Sequence, residues 1–477
     1  MSLVIVPIVF LLAVILIKQL PLIGGKIDIA LILTGFLTLF LAGIFNPGDW
    51  AAAWIDGLDR LAWVIFLSIT GSIFAEISIH LGTVDTIIGA LTAKFGRHPR
   101  ILVVCIMSVL MIAGSLLGDA IAASTVVGIL TIGILASMNL KSEKISAIIV
   151  MGASIGSIMP PITQAIALSS TLVGTDPDPV VRLGYLTSGL IFVIIAIYAS
   201  CILVKKENVP GANPEIQIKF RDEKAGEILK ANWKSLIPLF FLILVIFLRT
   251  VNIPVVSVDL GPAILKSISF TPTGAEEPIG SLYDALSGTT ILKGMTNGIV
   301  LSITLAIAFA FLFFKKIRAN TKEILSESWK KEEKTVLIQV CCAFMLGSFY
   351  KAGSIDAVQV FAQSMNGNVL KVGGAIALVL IGMLTGSQST AQNVIFSFLG
   401  PALVTIGVSP TIAALAGANL AAAGQGMPPA DLTTFVVVGI VAAQYGNGEE
   451  CDPLKSMFYS LPMCICMFII GMICLFV

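Results

Sequence analysis

The sequence predicts an all-α polytopic membrane protein made of two inverted repeats, each with a re-entrant helical hairpin and a broken transmembrane helix. Three observations carry that prediction. Of the 477 residues, 57% are hydrophobic and only 12% charged, with a mean hydropathy of +0.99, far outside the soluble range. Gly156-Ser157-Ile158-Met159-Pro160-Pro161 recurs as Gly424-Gln425-Gly426-Met427-Pro428-Pro429, each time inside an apolar run long enough to span a bilayer. Adjacent prolines remove two amide donors and a glycine relaxes the backbone beside them, so each run is expected to break. The third observation is spacing: Pro428 minus Pro160 is 268, and the same ungapped offset carries Gly114 onto Gly382, Leu116 onto Leu384, Gly118 onto Gly386, Ala123 onto Ala391, Val126 onto Val394 and Gly156 onto Gly424. Upstream, Gly82-Thr83-Val84-Asp85 matches Gly353-Ser354-Ile355-Asp356 at an offset of 271, which leaves a gap of three residues between the two blocks.

In chain order, residues 1–60 read as N-terminal scaffold helices, with spans at 2–17 and 27–45 joined by a turn carrying Lys18 and Lys26. Met1 to Ile17 lacks a basic leader and a small-residue cleavage site, so it reads as a first span that stays in the protein. Residues 46–60, with Asp49, Asp56, Asp59 and Arg60, read as a polar stretch before a third span at 61–79. The first repeat is assigned to 61–204. Its segment 81–100 is amphipathic and ends in Lys94, Arg97, His98 and Arg100, as expected of a helix along the cytoplasmic surface.

From Ile101 to Met138 the chain is apolar but interrupted at Gly114-Ser115-Leu116-Leu117-Gly118-Asp119, with basic residues at both ends. Entry and exit on one side need two half-length helices joined at a tip, hence a re-entrant hairpin. Residues 145–173 form the first broken helix, reaching the outside at Asp176-Pro177-Asp178, and a span at 183–204 returns to Lys205-Lys206.

Residues 205–335 form a connector: a Lys- and Glu-rich segment to 234, a span at 235–248, an external excursion over 250–290 with Asp259, Glu276, Glu277 and Asp284, and a span at 292–314. The second repeat, 336–477, starts inside, so its first span runs outward where its counterpart runs inward. Its hairpin, 371–406, turns at Thr385-Gly386-Ser387-Gln388-Ser389-Thr390, its broken helix is 411–441, and its last span is 456–477. Both termini are expected outside, in a multi-pass protein of the inner (plasma) membrane.

Freed backbone groups at membrane depth are tolerated only in protein or along a wet cavity, so paired breaks point to a transporter binding site. The first tip and break offer Gly118, Asp119, Ser124, Thr125, Gly156, Ser157, Thr163 and Gln164. The second offers Gly386, Ser387, Gln388, Ser389, Thr390, Gln392, Asn393, Gly424, Gln425 and Asp431. Carbonyls, hydroxyls and carboxylates are hard ligands for a small cation, while helix N-termini favour an anion. For the cation we assign Gly118, Asp119, Gly156, Gly386, Ser387, Gly424 and Asp431; for substrate, Ser124, Thr125, Ser157, Gln388, Ser389, Thr390, Asn393 and Gln425. Taken singly, a serine or threonine more often satisfies a backbone carbonyl than binds a ligand. Asp119 and Asp431 rank higher because a carboxylate in lipid is costly. Glu76 reads as a salt-bridge partner or end-of-helix acid ahead of a proton site. A side chain at Gly156 or Gly424 is expected to fill the break.

The eight cysteines read as small buried hydrophobes, and His80 and His98 stand near no Glu or Cys cluster, so no metal-hydrolase site or cofactor is expected. An intramembrane enzyme would need paired catalytic groups at matched depth, and no Glu-Glu, His-X-X-X-His or Ser-His pairing is seen within the expected spans. A net charge of +1 gives no pointer to nucleic acid.

The order of hairpin, Gly-X-X-Met-Pro-Pro break, connector and repeat resembles the large membrane subunit of TRAP transporters, the tripartite ATP-independent periplasmic carriers, within the wider ion-transporter superfamily. The likeness covers most of 60–205 and 322–441. It rests on Ala75-Glu76 followed by Gly82, Ala113-Gly114, Gly156 to Pro161, Gly382-Met383, Gly407-Val408-Ser409-Pro410, Asn419, and Pro428-Pro429 with Phe435. The resemblance implies an elevator-type transporter with sodium as coupling ion at the tips and breaks, nearest Gly118, Asp119, Gly156, Gly386, Ser387 and Gly424. It also implies an organic anion between the tips, a separate small four-helix membrane subunit and an extracytoplasmic substrate-binding protein. The chain departs from the family's usual tips at Leu117-Gly118-Asp119 and Gly386-Ser387. The second tip is also similar to those of lactate- and gluconate-type permeases, which work alone, so a stand-alone sodium- or proton-coupled permease is the rival reading.

Overall fold

In a computed structural model of the chain, the described residues are 2–17, 26–95, 98–205, 208, 224–250, 259–270, 280–354, 356–357, 366–429, 431–445 and 451–477. Lys18, Arg97, Glu276, Glu277, most of the connector before 224 and much of the external excursion lie outside them. Among the described residues helix dominates, with one antiparallel strand pair, Ser269–Phe270 against Gly280–Ser281. Among the described residues, six helices are long and apolar enough to cross a membrane: Pro47–Leu81, Pro99–Leu117, Pro177–Leu203, Ala225–Ile246, Gly367–Thr385 and Pro453–Phe476.

The chain opens with α1 (Ser2–Leu16), α2 (Ile27–Leu41), α3 (Pro47–Leu81) and α4 (Thr83–Phe95). Residues 46–60 are therefore not a polar linker but the first turns of α3. Asn46 caps them by accepting from the Gly48 amide at 3.0 Å, and Pro47 starts the helix where its missing N–H costs nothing. Arg60 and Asp56 pair across one turn at 2.8 Å, so charges that resemble a loop lie along one helix.

Further on, α16 (Thr321–Lys351) begins well before residue 336, where the sequence places the second repeat, and it packs antiparallel on α3. A Cβ on Gly57 would stand 1.7 Å from the Ala343 carbonyl oxygen, and one on Gly347 1.8 Å from that of Ala53. Without a hydrophobic drive between helices in lipid, close backbone approach of this kind is what packs them. The seam continues with Gln339 Nε2 donating to Ser68 Oγ at 2.9 Å and Ser72 Oγ donating to the Ser328 carbonyl at 3.0 Å. At its far end the buried Glu76 forms an ion pair with Lys331. His80 lies 3.9 Å from Glu76 and 3.7 Å from Glu323, and among the described residues no group of three or more His, Cys, Asp or Glu side chains is arranged to hold a metal. Glu76 is thus spent on holding α3 to α16, and among the described residues its ionic partners are Lys331 and His80.

The two repeats are built alike. The first hairpin is α5 (Pro99–Leu117), the one-turn α6 (Ala120–Ala123), a π-helical turn Ser124–Gly128 and α7 (Ile129–Ser137). The first broken helix is α8 (Ser142–Ile158) with α9 (Gln164–Val173), followed by α10 (Pro177–Tyr198), which ends in a second π turn, Ala199–Leu203. The intervening helices are α11 (Ala225–Thr250), α12 (Leu260–Ser267), α13 (Leu282–Ser287), α14 (Gly298–Phe313) and α15 (Lys315–Ala319). The second hairpin is α17 (Gly367–Thr385), α18 (Gln388–Ala391), a π turn Gln392–Phe396 and α19 (Ser397–Thr405). The second broken helix is α20 (Pro410–Gly426) with α21 (Leu432–Tyr445), and α22 (Pro453–Phe476) closes the chain. Every hairpin and broken-helix element of the second set, apart from the far end of α21, starts and stops at the sequence offset of 268 from its counterpart.

Packing interleaves the sets. Each hairpin's leading arm lies on the first half of its own broken helix, α5 on α8 and α17 on α20. Each returning arm lies on the second half of the other repeat's broken helix, α7 on α21 and α19 on α9. The core runs through this knot, and α8 and α20 are buried over almost their whole length.

Candidate functional site

Both hairpins turn at a left-handed glycine, Gly118 at φ 68° and Gly386 at φ 64°, a conformation that side chains with a Cβ resist. The next residue caps a one-turn helix in each case. Asp119 Oδ2 accepts from the Ala122 amide at 2.9 Å, and Ser387 Oγ from the Thr390 amide at 3.3 Å. Beyond the breaks, Thr163 and Asp431 hold the same position in front of α9 and α21. Thr163 Oγ1 accepts from the Ile166 amide at 3.4 Å, while Asp431 accepts from the Thr433 amide at 3.0 Å and from the Thr434 hydroxyl. Four helix N-termini therefore meet at the two tips and breaks, two capped by carboxylates and two by hydroxyls. The sorting is spatial as well: α18 packs against α9, bringing together the elements with neutral caps, and α6 packs against α21, whose caps are acidic.

Each tip is tied to its break by different bonds. In the first, Ser115 Oγ donates to the Pro160 carbonyl at 2.6 Å and the Ile162 amide donates to the Ser115 carbonyl at 3.1 Å. In the second, the Gln388 amide donates to Gln425 Oε1 at 3.1 Å, and Gln425 Nε2 donates to Thr433 Oγ1 at 3.3 Å. The halves are also joined to one another: Gln392 Nε2 donates to the Ala165 carbonyl at 2.7 Å and to Ser169 Oγ at 2.6 Å.

Among the residues assigned to substrate, Thr125 and Ser157 do what small hydroxyls in packed helices commonly do, donating to the carbonyls of Ala122 and Ser154 at 3.0 and 2.9 Å. Ser389 and Thr390 are bonded to Ser387 Oγ, at 3.2 and 3.0 Å. Three other assigned residues and Gln392, which was not assigned, are different. Ser124 Oγ, Gln388 Oε1, Gln392 Oε1 and Asn393 Oδ1 are buried, and among the described residues they have no hydrogen-bond partner. A buried acceptor without a partner forfeits the full desolvation cost, about 1–3 kcal/mol, so four of them around two tips call for a ligand. Ser124 with Thr125, and Gln392 with Asn393, open the π turns of the two hairpins, a local geometry that often marks functional sites.

Gly156 and Gly424 sit differently from expectation. Both lie in the last turn ahead of the break, and their carbonyls accept from the Met159 and Met427 amides at 3.0 and 3.1 Å. A Cβ on Gly156 would stand 2.4 Å from the Met111 carbonyl oxygen, and one on Gly424 2.5 Å from that of Val379. Gly114 and Gly382 are their facing partners, with Cα atoms 2.8 and 3.0 Å from those Cβ positions. A side chain there would push a pair of crossing helices apart rather than fill a break. Sequence reasoning left Gln392 out of the assigned ligands and gave Ser115 and Ser169 no role. The offset of 268 that pairs Gln392 with Ser124 was the available signal.

The profile of the tripartite ATP-independent periplasmic transporter DctM component matches residues 9–477. Among solved structures, the chain is similar to the YdaH transporter of Alcanivorax borkumensis, at 14% identity and a TM-score of 0.53, with 99% of this chain and 96% of that one covered. It is also similar to MtrF of Neisseria gonorrhoeae, reported within a class of antimetabolite efflux pumps, at 14% identity and a TM-score of 0.56, with 92% and 84% covered. At such identity the likeness is one of fold. No curated protein matches the sequence.

Proposed function

Because the chain belongs to the family of the DctM component of tripartite ATP-independent periplasmic transporters, we propose that it is the large permease of such a system and carries a small organic anion, a carboxylate, in symport with sodium. The reading rests above all on the unpartnered buried oxygens of Ser124, Gln388, Gln392 and Asn393 around the two tips. A small cation takes oxygen ligands of this kind, with Asp119 and Asp431 supplying charge and the backbone of Gly118, Gly386 and Ser387 close by. The carboxylate goes to the ends of α9 and α18, because hydroxyl caps leave the positive field of a helix N-terminus uncompensated, whereas the acid caps of α6 and α21 cancel it.

Movement is of elevator type: the hairpins and broken helices slide as one body against a scaffold that includes α3 and α16, with the two repeats inverted in the inner membrane and both termini outside. A small four-helix subunit and an extracytoplasmic binding protein complete the system. The likeness of Thr385 to Thr390 to the tips of stand-alone permeases favours one alternative, a carrier that needs neither partner. Counterflow of labelled organic acids into proteoliposomes holding the chain alone, with and without a sodium gradient, separates the two. Sodium-dependent uptake by the chain alone establishes the stand-alone carrier. Uptake that appears only on adding a small four-helix membrane subunit and an extracytoplasmic binding protein establishes the tripartite one, and conductance without saturation or exchange overturns both.

A further inference from the structure

A cavity of about 340 Å³ lies between the first break and α11. One wall is formed by Leu116 at the end of α5, Pro160 in the break and Tyr185 of α10, and the other by Leu239, Leu242 and Ile246 of α11. Because α11 packs on α3, α4 and α14, the space falls where the knot of hairpins and broken helices meets the helices around it. Its chemistry follows from the sequence of the break. Prolines have no N–H to present, so Pro160 and Pro161 give the wall ring carbons and no amide donor. The Ser115 hydroxyl, also in the wall, is already donating to the Pro160 carbonyl at 2.6 Å. Among the described residues no charged side chain lines the cavity. Such a space stays dry, and an apolar molecule entering it restores the dispersion contacts that the lining atoms lack.

Where the cavity opens decides what enters. From Ala225 to Ile246, α11 is apolar enough to cross a membrane, and Phe240 and Leu244 on its outer face are 63% and 51% exposed. Ile243 and Ile112, at 49% and 40% exposed, belong both to that outer surface and to the cavity wall, whereas the neighbouring Leu242 is fully buried. The cavity thus runs inward from a surface that meets lipid tails. Hydrocarbon there loses nothing by moving from one apolar surrounding to another, so packing alone decides whether it enters. We propose that an acyl chain of a membrane phospholipid inserts into this cavity and packs between Pro160 and Leu242. It then lies against Ser115 and Pro160, the pair that ties the first tip to its break. Such a chain has to leave or travel when the first tip slides past α11, a consequence that rests on the elevator reading; the binding itself does not.

The test uses the full chain in vesicles of phosphatidylcholine that include a small share of phosphatidylcholine with a diazirine at the end of one acyl chain. After illumination, the labelled residues are located by peptide mass spectrometry. The exposed Phe240 measures contact with bulk lipid, and the reading is the labelling of Leu242 and Tyr185 relative to it. In the native chain Leu242, though fully buried, is expected to be labelled alongside Phe240. In Leu239→Trp, which fills the space, labelling of Leu242 and Tyr185 should fall at least about tenfold against Phe240. Leu242→Phe is a milder filling of the same cavity, with Leu239 and Tyr185 as its readout, and it gives the same comparison where the tryptophan variant does not fold. Labelling of Phe240 with none at Leu242 or Tyr185 in the native chain overturns the proposal. So does labelling of the wall that both filled variants leave unchanged, because the reagent then reaches those residues by another route.

Discussion

Gln392 and Asn393 are neighbours in sequence, and the fold uses them differently. The amide of Gln392 joins the two halves by bonds to Ala165 and Ser169, whereas Asn393 Oδ1 faces no partner among the described residues. Gln392→Met keeps the volume and removes both bonds, so it is expected to lower stability by about 1–3 kcal/mol and to impair transport. Asn393→Leu removes no bond to Oδ1; uptake should fall at least about tenfold while the thermal midpoint stays within about two degrees of the native value. Equal losses of stability in the two variants would mean that Asn393 is structural too. Asp431 allows a sharper comparison, because asparagine caps a helix as well as aspartate does. Asp431→Asn should therefore melt like the native chain, yet need about tenfold more sodium for half-maximal uptake, the equivalent of about 1.4 kcal/mol of lost cation binding. An unchanged sodium dependence would leave Asp431 as a cap alone.

At the scale of elements, the crossings Gly114 over Gly156 and Gly382 over Gly424 set how closely α5 lies on α8 and α17 on α20. Alanine at Gly156 or Gly424 puts its methyl carbon 2.4 or 2.5 Å from a carbonyl oxygen that belongs to the opposing backbone. Overpacking against a backbone costs about 1–3 kcal/mol, so each variant should melt lower and transport less. The mild substitution separates this account from a filled break, because one methyl group is too small to block a pathway; a native midpoint with abolished uptake would favour the break. These elements were legible to different degrees. The hairpins and broken helices could be read because glycine, proline and an offset of 268 mark them twice. The length of α3 could not, since Asp49, Asp56 and Asp59 resemble a loop until Gly57 is seen against Ala343. Nor could the interleaving, because the partners of Gln392 lie more than 220 residues away in the other repeat.

At the scale of the whole molecule, the question is whether the interleaved body moves as a unit. Because α7 lies on α21 and α19 on α9, neither hairpin can travel without the other repeat's broken helix, which argues for one rigid carrier instead of two gates. Its contact with the long pair α3 and α16 includes Trp63 Nε1 donating to Thr171 Oγ1 at 2.8 Å. In an elevator that bond must break once per cycle. A Trp63→Cys/Thr171→Cys chain, made in a cysteine-free background that still transports, is therefore expected to stop when a short bifunctional thiol reagent bridges the pair and to recover when a cleavable bridge is reduced. Each single variant treated with the same reagent should keep its rate. Full bridging with undiminished uptake would mean that α9 stays beside α3 throughout the cycle, and the moving element would then have to be the hairpin tips alone.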